Sequence, residues 1–244
     1  GEMSSMASSI KAGAAWLGSV VCSTLVGCGG PGGDTSLFPL DKGHRWTYKV
    51  ATELENNTVQ REEMTLSTLG RVDFDGQPAW VRRSDSGANY WLRSDDTGVY
   101  RVASRSDIED EPRPDPVRRY VLKRPYAVGT SWQSATTAYL LEHKQDFPRE
   151  VRYKHPVIPM NYVIEAVDQK VDTWAGKFDG CLRVKGQALI RLFADPVVGW
   201  RDIPLTTLEW YCPGVGLVRL ERDEPGKATF ISGGRIQMDL ADFR

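Results

Sequence analysis

The sequence lacks a charge excess of either sign. Its 244 residues include 31 lysines and arginines and 32 aspartates and glutamates, which gives a formal net charge of −1. A net charge so close to zero provides no strong field to attract nucleic acid or an anionic surface. We therefore expect no nucleic-acid partner.

Residues that build catalytic and metal sites are also scarce. The three histidines and four cysteines show no metal-ligand spacing. No nucleophile elbow of the G-x-S-x-G type, H-E-x-x-H helix or phosphate-binding glycine loop occurs in the chain. We expect a protein that is not an enzyme and holds no metal or cofactor, with a hydrolase as the minor alternative.

Long apolar runs and helical periodicity are absent beyond the first 28 residues. The stretch from Ile10 to Gly27 has one charge, Lys11, followed by a weakly apolar run rich in alanine, glycine and serine. A charge, an apolar run and small residues in that order are typical of a signal peptide. We assign residues 1–27 to it.

The apolar run ends at Leu25-Val26-Gly27-Cys28, which resembles the lipobox of bacterial lipoproteins. The resemblance implies that Cys28 is the first mature residue and carries the lipid that anchors the protein to a membrane. Gly29 follows it, where an aspartate would imply retention in the inner membrane. The resemblance therefore implies the outer membrane, with the protein facing the periplasm rather than the cell surface. Residues 28–37, which are rich in glycine, are predicted to form a flexible tether.

From residue 38 onward, short segments rich in β-branched and aromatic residues are separated by Gly, Asp, Asn or Pro. Alternating apolar and polar residues predict an antiparallel sheet with one solvated face. We predict a single β-rich domain over residues 38–244. The acidic, proline-containing stretch 106–119 is predicted to be a solvated loop, and the stretches 139–160 and 192–205 are predicted to be edge segments or loops.

The β-rich part also repeats itself. Three features recur in the same order: a Pro-x3-Gly-x2-Trp pattern, an FDG triplet that is predicted to turn, and a tryptophan before a Gly-led strand with a central arginine. The features lie at 39–46 and 125–132, at 74–76 and 178–180, and at 91–102 and 210–220. They predict two duplicated β units, over 38–105 and 125–222. The tryptophans are predicted to be core or ligand-lining residues: Trp46, Trp91, Trp132 and Trp210.

Three longer motifs carry a family resemblance: LFPLDKGHRWTYKV at 37–50, VDTWAGKFDGCLRV at 171–184 and EWYCPGVGLVRLER at 209–222. They resemble motifs of secreted bacterial lipoproteins whose function is mostly unassigned. That resemblance implies a mainly β fold with a strongly curved antiparallel sheet or open barrel. A looser likeness links the chain to periplasmic lipoprotein carriers, which bind acyl chains in the hollow of such a sheet.

Two cysteines remain after the leader, which contains Cys22, has been cleaved and Cys28 has been lipidated. In an oxidising compartment, the remaining pair, Cys181 and Cys212, predicts a disulfide between neighbouring strands. Closing a loop of this length would stabilise the fold by about 3 to 4 kcal/mol.

Together these features predict an outer-membrane-anchored periplasmic lipoprotein that acts as a non-catalytic binding module. In this hypothesis the concave face of the sheet holds an apolar ligand or acyl chain, lined by tryptophans and tyrosines. The alternative is an accessory or structural subunit that docks onto an envelope protein complex through edge strands or loops.

Overall fold

A computed structural model describes residues 36–41, 43–144, 155–227 and 230–244. The predicted signal peptide, Cys28 and all but the end of the tether lie outside these residues.

Antiparallel strands dominate the described chain, as the alternating sequence predicts. The strands are β1 Arg45–Leu54, β2 Val59–Phe74, β3 Gln77–Ser84, β4 Asn89–Asp95, β5 Gly98–Arg105, β6 Arg113–Lys123, β7 Ser131–Thr136, β8 Glu142–His143, β9 Ile158–Thr173, β10 Gly176–Asp195, β11 Gly199–Cys212, β12 Gly216–Glu224, β13 Ile231–Ser232 and β14 Gly234–Phe243.

Twelve strands form one sheet, in the order β6-β5-β4-β3-β2-β1-β14-β12-β11-β10-β9-β7, while β8 and β13 pair separately. The sheet curves until its two edge strands meet at a seam, where Ser134 Oγ of β7 donates to the carbonyl oxygen of Tyr120 in β6 at 3.0 Å. The predicted mainly β fold, with a strongly curved and nearly closed antiparallel sheet, is confirmed.

The topology divides into two halves with equal numbers of strands. One half contributes β1 to β6 and the other contributes β7, β9 to β12 and β14, so each half is a six-stranded meander. Paired glycines adopt positive φ at matching places: Gly43 (91°) and Gly129 (98°) precede the first strands, and Gly98 (137°) and Gly216 (95°) begin the fifth. Both halves use glycine where a left-handed backbone turns the chain into a strand.

One part of the repeat prediction is wrong. Asp75 and Gly76 do turn the chain between β2 and β3, but the second FDG triplet lies inside β10. There, the pairing with β9 shifts register between Phe178 and Cys181. Gly180, with φ of 69°, therefore accommodates a β-bulge rather than a hairpin turn.

Two stretches predicted as loops or edge segments contain regular strands. Residues 113–119 belong to β6, and this strand tolerates Pro114 and Pro116 because it lies at the edge of the sheet. Residues 192–195 and 199–205 extend β10 and β11 into a two-stranded ribbon. Pro204 fits in the ribbon because β11 pairs with β12 only from Thr206 onward, so no β12 residue lies opposite Pro204.

The core between the halves combines side chains from both. Leu92, Val99 and Leu122 of the first half pack with Ile164 and Val184 of the second. A separate apolar cluster fixes the ribbon onto residues 138–141 and β13. The sheet therefore encloses a shared interior.

A buried carboxylate holds the backbone of residues 139–141 in place beside that ribbon. Glu224 is completely buried and accepts hydrogen bonds from the backbone N–H groups of Tyr139, Leu140 and Leu141. Arg222 pairs with the same carboxylate at 2.6 Å. Because three amides and a guanidinium share this charge, its burial is compensated.

We expect Gly98→Ala to destabilise the protein far more than Gly129→Ala. Both positions need positive φ, so each substitution strains the backbone by about 1 kcal/mol. An added Cβ at Gly98 would also lie 2.1 Å from the Leu122 carbonyl oxygen, whereas Gly129 has open space. Denaturant unfolding should show at least about 2 kcal/mol more loss for Gly98→Ala. Equal losses would contradict the proposed steric role of Gly98 at β6.

Candidate functional site

A cavity of about 290 Å³ lies on the inner face of the curved sheet, with lining residues from both halves. Part of its wall is apolar and consists of Phe38, Leu66, Leu92, Val121 and Leu217. Phe38 lies in the segment that leads into β1, so the cavity is bounded by this segment as well as by strands.

Tyrosines supply much of the remaining wall: Tyr48, Tyr90, Tyr120, Tyr162 and Tyr211. Tyr48 Oη donates to the Leu217 carbonyl oxygen at 2.7 Å, and Tyr211 Oη donates to Glu209 Oε2 at 3.3 Å. Burial raises the pKa of Tyr48, of Tyr162 and of Tyr211. These side chains therefore present neutral hydroxyl groups.

Three arginines also line the cavity, and they differ in their partners. Arg101 forms a bidentate ion pair with Asp115, at 2.7 and 2.8 Å. Arg119 is half-buried on the seam strand β6, where its charge acts on Tyr162. Arg82 is buried on β3 between aromatic rings, with its guanidinium carbon 3.8 Å from the ring centre of Phe38 and 4.2 Å from that of Trp46.

Glu209 is the acidic member of the cavity wall. Burial raises its pKa from the ordinary value of 4.5 to about 7, although the Tyr211 hydrogen bond and the Arg222 charge oppose the shift. The carboxyl group is therefore largely protonated in weakly acidic solution and can then donate a hydrogen bond as well as accept one.

The tryptophans predicted as core or lining aromatics belong to the core. Trp46, Trp91 and Trp132 are buried, and the half-buried Trp210 packs against the cluster that contains the two cysteines. No tryptophan is among the described residues that line this cavity. Tyrosines therefore take the lining role that was predicted for both residue types.

The cysteine prediction is confirmed for one pair. Cys181 of β10 and Cys212 of β11 form a disulfide, with their Cα atoms 4.2 Å apart. It lies in the cluster that contains Trp46 and Tyr48, so it braces strands behind one wall of the cavity. Cys28, the predicted lipid attachment site, lies outside the described residues.

Sequence reasoning missed the charged residues of the cavity. Arg82 and Arg83 are neighbours on β3 and point to opposite faces, so alternation requires that one of them face inward. Only the structure shows that Arg82 is buried and Arg83 exposed. Glu209 is the first residue of the late EWYCPG motif. The alternation of side chains along this strand assigned Glu209 to one face of the sheet, but it did not indicate that this face lines a cavity.

The described residues contain no helix with the length and hydropathy of a membrane span. In the same ranges, no three His, Cys, Asp or Glu side chains come together as potential metal ligands.

The raised pKa of Glu209 predicts how stability changes with pH. The unfolded chain ionises this group near 4.5 and the folded chain near 7, so the wild type loses stability as pH rises between these values. Glu209→Gln lacks this loss. Its free energy of unfolding, relative to wild type, should be higher at pH 8 than at pH 4 by about 2 to 3 kcal/mol. Denaturant unfolding across pH checks this, and a pH-independent difference would refute it.

Comparisons with known proteins give distant structural matches alone. No family model matches the chain, and a search of curated proteins found no relative. A candidate lipoprotein from Parabacteroides distasonis is 15% identical with a TM-score of 0.39, covering 86% of this chain and 99% of that one. A candidate exported protein with a YmcC-like fold, from Bacteroides fragilis, is 15% identical with a TM-score of 0.38, covering 87% and 99%.

Proposed function

We propose that this protein is a lipid-anchored lipoprotein of the outer membrane, facing the periplasm, which binds a small apolar or amphipathic ligand without catalysis. The observation that carries the proposal is the cavity of about 290 Å³ inside the curved sheet. Ligand sites are typically concave, mostly apolar and fitted with a few polar groups that orient the ligand. This cavity has that composition.

The size of the cavity narrows the ligand class. Its volume of about 290 Å³ lies near the lower end of the range for small-molecule sites, roughly 300 to 1,000 Å³. At about 30 Å³ for each water-sized group, it accommodates roughly ten non-hydrogen atoms. A short aliphatic molecule or one end of a longer acyl chain therefore fits better than a whole long chain.

The anchor part of the proposal is supported by the sequence. A signal-peptide profile ends at Cys28 in a lipobox-like context, and glycine-rich residues separate that cysteine from the first described residue, Ser36. A lipidated cysteine would hold the domain at a membrane by acyl chains.

Replacing the anchor cysteine tests this part. In cells fed labelled palmitate, the wild-type protein should incorporate label and fractionate with membranes. Cys28→Ala should do neither, because the acceptor thiol is gone, while Cys22→Ala should behave as wild type. Label on Cys28→Ala would contradict the anchor assignment.

Filling the cavity tests the binding part. The wild-type protein should bind 1-octanol in calorimetry or NMR titration, and Leu217→Trp should weaken binding by about tenfold or more because its indole occupies the ligand volume. Leu189→Trp is the matched control, since Leu189 is 64% exposed. An unchanged affinity in Leu217→Trp would contradict binding in this cavity.

A failure of all ligands to bind would favour the accessory-subunit alternative instead. Its supporting observation is the seam, where the edge strands β6 and β7 meet through the Ser134–Tyr120 contact but form no backbone ladder with each other. Val117 on β6 is 76% exposed. Edge strands of this kind can accept a strand from a partner protein.

A further inference from the structure

Arg82 is a buried cation with too few acceptors. Its side chain is 94% buried, since 6% of the residue is exposed. Nη2 donates to the Pro39 carbonyl oxygen, while Nε has no hydrogen-bond partner among the described residues. A guanidinium carries five N–H donors. The bonds that the described residues offer to Arg82 therefore leave most of its donor capacity unused.

Arg82 also lacks a carboxylate partner within the described ranges. Other arginines of the sheet have one: Arg101 pairs with Asp115, Arg183 with Glu165 and Arg219 with Asp239. The acid of the same cavity, Glu209, forms its hydrogen bond with Tyr211 rather than with Arg82. The positive charge is thus balanced by the faces of two aromatic rings and one carbonyl.

Such an arrangement is unfavourable by itself. Burial lowers the pKa of Arg82 to about 10, which still leaves the guanidinium charged at neutral pH. A buried charge without an opposite charge destabilises a fold, whereas an apolar side chain of similar size would not. An anion in the adjacent cavity would provide both the opposite charge and the missing acceptors.

We propose that the ligand of this cavity is a short aliphatic carboxylate, whose head group is bound by Arg82 and whose chain packs against Leu66, Leu92 and Val121. This inference rests on the proposed binding function and specifies the chemistry of the ligand. Tyr48 and Tyr211 line the same cavity as Arg82 and supply neutral hydroxyl groups close to the head group.

The charge balance selects a carboxylate over a phosphate. Arg101 is neutralised by Asp115, and Arg119 is only half-buried, so solvent screens its charge. Among the described residues that line the cavity, Arg82 is therefore the guanidinium that is both buried and without a carboxylate partner, and a monoanion matches its charge. A phosphate monoester would bring up to about two negative charges to the same site, leaving charge unpaired.

The test compares two probes of nearly equal shape, octanoate and 1-octanol, by calorimetry. At about pH 6, octanoate carries its charge and Glu209 is largely protonated. The wild-type domain should prefer octanoate by about tenfold or more. Arg82→Met should reduce this ratio to about one. Arg83→Met, which changes an exposed side chain next to Arg82 on the same strand, should keep the wild-type ratio.

The outcomes separate this inference from the function on which it rests. Equal wild-type affinities for octanoate and octanol would overturn the anion site while leaving the binding function intact. Failure of both probes to bind would contradict the binding function itself. Tighter binding of octyl phosphate than of octanoate would overturn the choice of carboxylate. If Arg82→Met does not fold, two measurements still test the proposal. One is the ratio of octanoate to octanol affinity in the wild type, and the other is the same ratio in Arg82→Lys, which keeps the charge but not the guanidinium fork.

Discussion

The pairing of β1 with β14 is the contact on which the rest of the structure depends. β14 lies between β12 and β1, and its residues Gly234 to Phe243 pair with β1 over almost its full length. Without it, each half would be a separate meander with its apolar face exposed to water. With it, both halves share one interior, and residues from both halves can therefore line one cavity.

That interior is more polar than stability alone would favour. A core of this size could be filled with aliphatic side chains, yet it contains Arg82, Glu209 and several tyrosines around a volume that remains open. Local departures from good packing and charge compensation are expected at functional sites, where binding requires them. Elsewhere the buried charges are compensated, as Glu224 shows with its three backbone amides and Arg222.

Much of the fold could be predicted from the sequence because strand alternation, turn glycines and the repeated tryptophan pattern are local signals. The disulfide followed from counting cysteines. Edge strands were harder to predict from the sequence, since Pro114 and Pro116 suit a loop and an edge strand equally. The choice between the two depends on which strand lies last in the sheet. The site was hardest: Arg82 and Arg83 are equivalent in the sequence, and only the curvature of the sheet makes one face an interior.

Residues 36–40 link two parts of the molecule that were treated separately above. Gly214 N–H donates to the Ser36 carbonyl oxygen, Phe38 contacts the Arg82 guanidinium and Pro39 accepts its hydrogen bond. Cys28 precedes Ser36 by eight residues, at most about 28 Å of extended chain. The segment that would follow a lipid anchor at Cys28 is therefore also part of the cavity wall, and a pull on it would act on Phe38 and Pro39, the residues that contact Arg82.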